Sequence, residues 1–320
     1  MRLGKTAAAT DPGRRRRRNE DSFVVEPPLF AVADGMGGAQ AGEVASRLAA
    51  GALKEGEGAI EELIQEANRR VHQRSMEDPG ASGMGTTMTV AVVEHGIVRI
   101  GHVGDSRAYL VRDGELEQLT QDHSLVGELV RTGRLSPEEA ESHPQRSVIT
   151  RAVGTDPDVD VDTLTVETRS GDVFLICSDG LTDMVDDRTI LQTVEEKRGD
   201  LDAVVKTLVK NANKGGGEDN ITVVAFEITG EDEPLDVEET RTMPAAAPDA
   251  DDEDTLTEED EVPVVDTMIV SADEIAAAYE KETPPPQRRG RRFLSRLLAF
   301  AVVIVVLCAI VLASVWGLTR

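Results

Sequence analysis

Four aspartates stand where runs of apolar residues end or begin. Leu29–Ala33 runs into Asp34-Gly35, Val98–Val103 into Gly104-Asp105, and Val173–Cys177 through Ser178 into Asp179-Gly180, while Asp219-Asn220 opens the run Ile221–Ile228. Any one of these, taken alone, reads as a turn, because Asp-Gly is a common turn dipeptide. The set reads differently. Ionised carboxylates gathered at one end of a core would raise each other's pKa and repel unless a cation neutralised them. Oxygen ligands select hard divalent ions, Mg2+ or Mn2+, and the lack of a Cys/His cluster argues against zinc. Two such ions would lower the pKa of a water held between them. They would also stabilise the attacking and leaving oxygens of a phosphoryl transfer.

Ahead of the first carboxylate lie five consecutive arginines, Arg14 to Arg18, then Asn19-Glu20-Asp21. By itself such a run is a solvated basic arm, a nucleic-acid patch or a lipid contact. The glycine-rich stretch Gly35–Gly42 lacks Gly-Lys-Ser/Thr and the G-x-G-x-x-G spacing of nucleotide loops. Gly37 and Gly38 there read as a tight bend, and Gly215-Gly216-Gly217 as a turn into the last strand. Cys177 sits in an apolar run and reads as core, with no cysteine-nucleophile signature around it. His102 falls in strand alternation, and His123 and His143 fall in loops.

Strand-length runs at Leu29–Ala33, Thr87–Val93, Ile97–Val103, Arg107–Val111, Leu116–Leu119, Val161–Val166, Val173–Cys177 and Ile221–Ile228 must carry these residues. Helical spacing occupies Val44, Leu48 and Ala52, then Ile60, Leu63, Ile64, Ala67 and Val71, and again Leu201, Val204, Val205, Leu208 and Val209. Consecutive strands over 87–119, with a turn at Arg112-Asp113-Gly114-Glu115, favour α+β or layered α/β over strict βαβ winding.

The chain of 320 residues has 60 acidic and 34 basic residues, a net charge of −26, which argues against unassisted nucleic-acid binding. The charge is segmented. Residues 1–230 hold 40 acidic against 26 basic groups, a plausible single domain. Residues 231–287 hold 20 acidic against 2 basic, with Pro244, Pro248, Pro263 and Pro284–Pro286, and read as a self-repelling, disordered linker. Five arginines follow in 288–296, and residues 297–318 are uncharged and apolar, long enough for one transmembrane helix of roughly 20 residues. Arginine on the N-terminal flank predicts that side to be cytoplasmic, giving a cytoplasmic domain tethered to the cell membrane by its C-terminal end. Cys177 and Cys308 lie far apart, so neither a disulfide framework nor a CxxC zinc site is offered.

Six ordered motifs resemble one family: Gly13-x-x-Arg16-x-x-Asn19-Glu20-Asp21, Ala33-Asp34-Gly35-Met36-Gly37-Gly38, Gly85-Thr86-Thr87, Gly104-Asp105-Ser106-Arg107, Cys177-Ser178-Asp179-Gly180-Leu181 and Asp219-Asn220-Ile221-Thr222. They look like those of the metal-dependent Ser/Thr protein phosphatases of type 2C, over residues from about 5 to 228. Arg131 to Arg151 looks like the flap of the bacterial branch, and the tail resembles the membrane-anchored phosphatases that accompany bacterial receptor-like kinases. The resemblance implies an α+β fold, an α-β-β-α sandwich of two antiparallel sheets flanked by helices. It implies hydrolysis of phosphoserine and phosphothreonine by direct attack of a hydroxide bridging two Mn2+ or Mg2+ ions, with no covalent phosphoenzyme.

On this resemblance Asp34 bridges both ions, Gly35 offers its carbonyl, and Asp179 and Asp219 complete the first site. Asp21 and Glu20 lie at its edge, and Asp105, Asp179 and Ser147 form a third site. Arg16, five residues before Asp21, is the phosphate clamp, its guanidinium fork matching two phosphate oxygens. The implied partners are phosphorylated proteins, including Ser/Thr kinases. Met36 stands where animal members carry a histidine that can act as general acid. Two other readings are a silent phosphopeptide-binding scaffold, against which the intact aspartates count, and a membrane-tethered kinase adaptor using the acidic linker.

Overall fold

The computed structural model describes residues 1–37, 41–141, 143–230 and 268–269. Strands β1 (Arg2–Asp11), β2 (Asp21–Glu26) and β3 (Leu29–Met36) lead into helices α1 (Ala41–Glu55) and α2 (Ile60–Glu77). Strands β4 (Gly85–Thr86), β5 (Met88–Glu94), β6 (Ile97–Val103), β7 (Arg107–Arg112) and β8 (Glu115–Gln118) follow. Next come α3 (Leu125–Arg131), α4 (Pro137–Glu141), β9 (Val148–Ile149), β10 (Asp162–Glu167) and β11 (Val173–Cys177). The rest is α5 (Asp179–Thr182), α6 (Asp187–Lys197), α7 (Leu201–Gly215), β12 (Ile221–Thr229) and β13 (Met268–Ile269).

One sheet has the order β1-β12-β11-β7-β8 and the other β10-β6-β5-β3-β2, with every pairing inside them antiparallel. Strand alternation explains how they stack. Along β11, Phe174 and Ile176 enter the core between the sheets, while Val173, Leu175 and Cys177 face the layer shared with α6 and α7. On β3, Phe30 and Val32 enter the same inter-sheet core, and Ala31 and Ala33 face α1 and α2. Phe226 stacks on Phe30 at 4.3 Å and on Phe174 at 5.0 Å between ring centroids, joining the two sheets. The expected sandwich, with helices outside two antiparallel sheets, is therefore present.

Strands β1, β2, β4, β9 and β13 and helices α3 to α6 are additional to the sequence expectation. The β1 run Thr6-Ala7-Ala8-Ala9-Thr10 has no large apolar residue to mark it, and it is held as an edge strand by pairing Ala7 with Ala225 under α7. β2 is short and opens on a carboxylate. α6 is started by Asp186, whose side chain accepts from the Thr189 N–H, and buries Ile190, Thr193 and Val194. Of the linker, only Met268–Ile269 is described, and it pairs in parallel with β9. No helix among the described residues is long and apolar enough to cross a membrane, and the expected membrane segment 297–318 lies outside them.

Candidate metal centre and phosphate site

The pairing of β2 with β3 sets Asp21 directly opposite Asp34. The end of β3 is pinned from the neighbouring segment. The Asp34 N–H donates to Thr87 Oγ1 at 2.9 Å, and its carbonyl accepts from the Thr87 N–H and from Thr86 Oγ1, both at 2.8 Å. From the other sheet, β11 delivers Asp179 and β12 begins just after Asp219. The glycine of each Asp-Gly pair serves close approach. A Cβ on Gly35 would lie 2.1 Å from the Gly42 carbonyl oxygen, and one on Gly180 would lie 2.1 Å from that of Asn220. Asp34-Gly35 lies within β3 and Asp179-Gly180 opens α5, so neither dipeptide is a hairpin turn.

A polar chain ties the two sheets beneath the site. Asp21 Oδ2 accepts from Ser178 Oγ at 2.9 Å and from Thr222 Oγ1 at 2.6 Å. Thr222 Oγ1 is 2.7 Å from Thr10 Oγ1, which accepts from Asn19 Nδ2 at 2.7 Å. The buried Asn220 organises the arginine loop. Its Oδ1 accepts from the Glu20 N–H at 2.7 Å, and its Nδ2 donates to the carbonyls of Pro12 and Arg18 at 2.9 and 2.8 Å. The result selects one arginine. Arg14, Arg15, Arg17 and Arg18 are exposed, whereas Arg16 is half-buried and donates from Nη2 to Asp219 Oδ2 at 2.7 Å. Burial opposes the Arg16 charge, but Asp219, Asp34 and Glu20 more than offset this and hold its pKa above the ordinary value.

The carboxylates are mutually coupled. Burial pushes Asp34 well above the usual carboxylate range, and the charges of Asp21, Asp179, Asp219 and Asp105 add to it. Asp179 is raised in the same way by burial, then by Asp105, Asp219, Asp183 and Asp21. Asp21 is raised to about 6 by burial against the hydroxyls of Thr222 and Ser178, and Asp105 to about 7 by burial, Asp122 and Asp183. Three of their oxygens, Asp21 Oδ1, Asp105 Oδ1 and Asp179 Oδ1, are buried without a hydrogen-bond partner. Orphaned oxygens on coupled carboxylates are what a hard divalent cation satisfies. Among the described residues no three acidic, histidine or cysteine side chains form a closed ligand set.

Asp183 is an unforeseen member. It lies one helical turn after Asp179, its N–H donating to the Asp179 carbonyl at 2.8 Å, and burial raises its pKa too. Arg146 of the flap segment reaches Asp183 at 3.4 Å and Glu218 at 3.3 Å. Ser147, next to it, is half-buried and makes no hydrogen bond to Asp105 or Asp179; Asp183 is the further side chain that the structure couples to that pair. The histidines sort by contact. His102 is buried between Thr89 and the Gln121 carbonyl, its pKa lowered to about 4 by burial. His123 Nδ1 accepts from the Gly104 N–H, and the His143 ring accepts from the Gln145 N–H. None of the three lines the cavity at Arg16, Asp34 and Asp219. His72 does, and only its position late in α2, unreadable before folding, brings it there.

The raised carboxylates carry a consequence for stability. Asp21 and Asp105 keep protons in the fold that the unfolded chain has released, so stability falls as pH rises from about 4 through 6 and 7. The metal-free protein is expected to lose about 5 °C in Tm between pH 5 and pH 7.5. Added Mn2+ is expected to restore more at pH 7.5 than at pH 5. Calorimetry at both pH values checks this, and equal Mn2+ shifts would break the link between the raised carboxylates and cation binding.

A sandwich whose two sheets bring coupled carboxylates and an arginine together fits the class of metal-dependent phosphoester hydrolases. Comparison with known proteins gives the family. Residues 14–218 match the profile of protein phosphatase 2C. The serine/threonine phosphatase stp of Listeria monocytogenes is 41% identical over 236 residues, covering 68% of this chain and 93% of that protein. The crystal structure of the Mycobacterium tuberculosis serine/threonine phosphatase PstP/Ppp is 40% identical, with a TM-score of 0.67, covering 71% of this chain and all of that one. The catalytic domain of PstP in complex with two manganese ions is 38% identical, with a TM-score of 0.66, over 71% of this chain and 99% of that one. The chain belongs to the protein phosphatase 2C family and is a protein-serine/threonine phosphatase.

Proposed function

We propose that this chain hydrolyses phosphoserine and phosphothreonine in proteins by a single displacement at a two-ion centre, and that it works at the cytoplasmic face of the cell membrane on phosphoproteins that include Ser/Thr kinases. The observation that carries the chemistry is the set of orphaned, mutually coupled carboxylates beside Arg16. Asp34, the Gly35 carbonyl, Asp179 and Asp219 would hold two ions, Mn2+ or Mg2+, with Glu20 and Asp21 at the edge; Asp105 and Asp179 would hold a third. When bound, the ions supply an acidified water as nucleophile and positive charge for the phosphoryl oxygens.

The residues do the rest. Asp219 is the partner of Arg16 in the structure and also a ligand in the proposal, so a cation on Asp219 would free the guanidinium fork for two phosphate oxygens. Asn220 holds that arginine loop in register, and the Thr86–Thr87 clamp keeps Asp34 and Gly35 aimed at the same point. Met36 is buried against Ile149 and Ala152 and offers no proton to a leaving alkoxide, so the residue-borne acid of animal members is absent at this position. Cys177, with burial pushing its thiol up to about 12, is not a nucleophile.

Anchoring rests on the arginine cluster and apolar segment of the tail, and the kinase partnership on the tail's resemblance to membrane-anchored phosphatases. Phosphate release from a phosphothreonine peptide by the full chain and by residues 1–230 tests the reading. Both are expected to be active with Mn2+ and silent with excess chelator, and only the full chain is expected to sediment with lipid vesicles. Turnover in chelator overturns the metal-centred chemistry; a full chain left in the supernatant overturns the anchor.

A further inference from the structure

The cavity at the metal centre is larger than one phosphoryl group requires. Its volume is about 580 Å³, and besides Arg16, Asp34 and Asp219 it is lined by His72, Ser75 and Met76 of α2, by Ser82-Gly83 and by Gly154-Thr155. This wall is built and fixed. Ser75 Oγ accepts from the Gly83 N–H at 3.1 Å, and His72 Nδ1 lies 3.2 Å from the Gly154 carbonyl oxygen. The Gly154 N–H donates to Asn68 Oδ1 at 2.6 Å, and Asn68 Nδ2 donates to the carbonyls of Asp156 and Pro157 at 3.0 Å each. Gly154 has a φ of +94°, and a Cβ there would lie 2.1 Å from Val71 Cγ1, so the loop is pressed directly onto the helix.

On that wall Met76 is out of character. The inward positions of α2, Ile60, Leu63, Ile64, Ala67 and Val71, are buried, and the outward ones are mostly Glu, Gln and Arg. Met76 is 75% exposed, and among the described residues the other exposed large apolar side chain is Met1, at 46%. A single exposed apolar side chain is ordinary on a protein surface. This one lines the cavity that also contains Arg16 and Asp34.

We propose that Met76, backed by Ser75 and His72, is a subsite for an apolar side chain adjacent to the phosphorylated residue of the substrate; this rests on the phosphoprotein phosphatase reading above. The phosphate is drawn to Arg16 and the carboxylate centre, and the polypeptide on one side of it runs along the α2 wall. A flexible thioether accommodates Leu, Ile, Met or Phe without one fixed shape, so the subsite ranks substrates by flanking hydrophobicity and leaves the chemistry untouched.

The test uses the full chain with Mn2+, phosphothreonine peptides carrying Leu or Gly on either side of the phosphothreonine, and p-nitrophenyl phosphate. The wild type is expected to favour Leu on one side by about five- to tenfold in kcat/KM, mostly through KM. Met76→Ser is expected to abolish that preference and Met76→Leu to keep it, with p-nitrophenyl phosphate turnover unchanged in both. A wild type indifferent to the flanking residue, or a preference that survives in Met76→Ser, overturns the proposal. So does an equal loss on peptides and p-nitrophenyl phosphate, which marks a structural role. A wild type that hydrolyses none of the substrates overturns the catalytic reading instead.

Discussion

Asp34→Asn is expected to lower phosphopeptide turnover by about a thousandfold or more and, in the same protein, to raise the Tm measured without divalent cation. The two effects have one origin. Asp34 faces Asp21 across β2 and β3 and feels Asp179 and Asp219 from the other sheet and Asp105 from the connection between β6 and β7, which with burial drives its pKa far upward. Without a cation near neutral pH, that position charges the fold either the cost of a bound proton or that of repulsion. Asparagine keeps the shape, can accept the same backbone clamp from Thr86 and Thr87, and removes the charge. Relief of that penalty is worth a few degrees in Tm. The same charge is what would hold both ions, and loss of charge stabilisation at the reacting phosphoryl group is the largest single catalytic deficit a side chain can cause. Thermal unfolding in chelator, paired with phosphate release in Mn2+, reads both. An Asn variant that is destabilised, or that retains more than about a tenth of the activity, would remove Asp34 from the centre of the site.

The centre was legible where a residue's role is announced by its neighbours in sequence. Asp34, Asp179 and Asp219 each adjoin a run of apolar residues long enough to be a core strand, so their strand-end positions follow from alternation alone, and both helical layers follow from the spacing of Ile60 to Val71 and Leu201 to Val209. Arg16 was different. Nothing in a run of five identical residues ranks one above the others, and only the family motif singled it out. In the fold, Asn220, some 200 positions away, fixes the loop so that one arginine of the five turns inward. β1 escaped notice because alanines carry no strand signature until β12 and α7 cover them. Asp183, His72 and Met76 escaped for a related reason: each lies on or just after a helix, and what it faces is decided by packing between segments far apart in the chain.

Arg16→Ala is expected to reduce kcat/KM toward phosphopeptides by about a hundredfold, while Arg14, Arg15, Arg17 and Arg18→Ala each stay within about twofold. A charge-assisted, two-pronged contact with phosphate contributes about 3 kcal/mol when partly shielded from water, which is this factor. The exposed arginines face solvent and salt, where a single charge contributes a small fraction of that. Arg16→Lys separates fork from charge. A lysine restores the positive field but not the paired N–H geometry, so it is expected to recover about tenfold and leave the remainder lost. The contact persists into the transition state, so the deficit is expected in kcat as well as KM. Because Arg16 also neutralises Asp219 in the absence of a cation, its removal is expected to tighten Mn2+ binding, measurable by calorimetric titration, even as turnover falls. Tighter metal with slower chemistry is an outcome that a merely unfolded or loosened variant would not give, and full activity in Arg16→Ala would move the clamp to a neighbouring arginine.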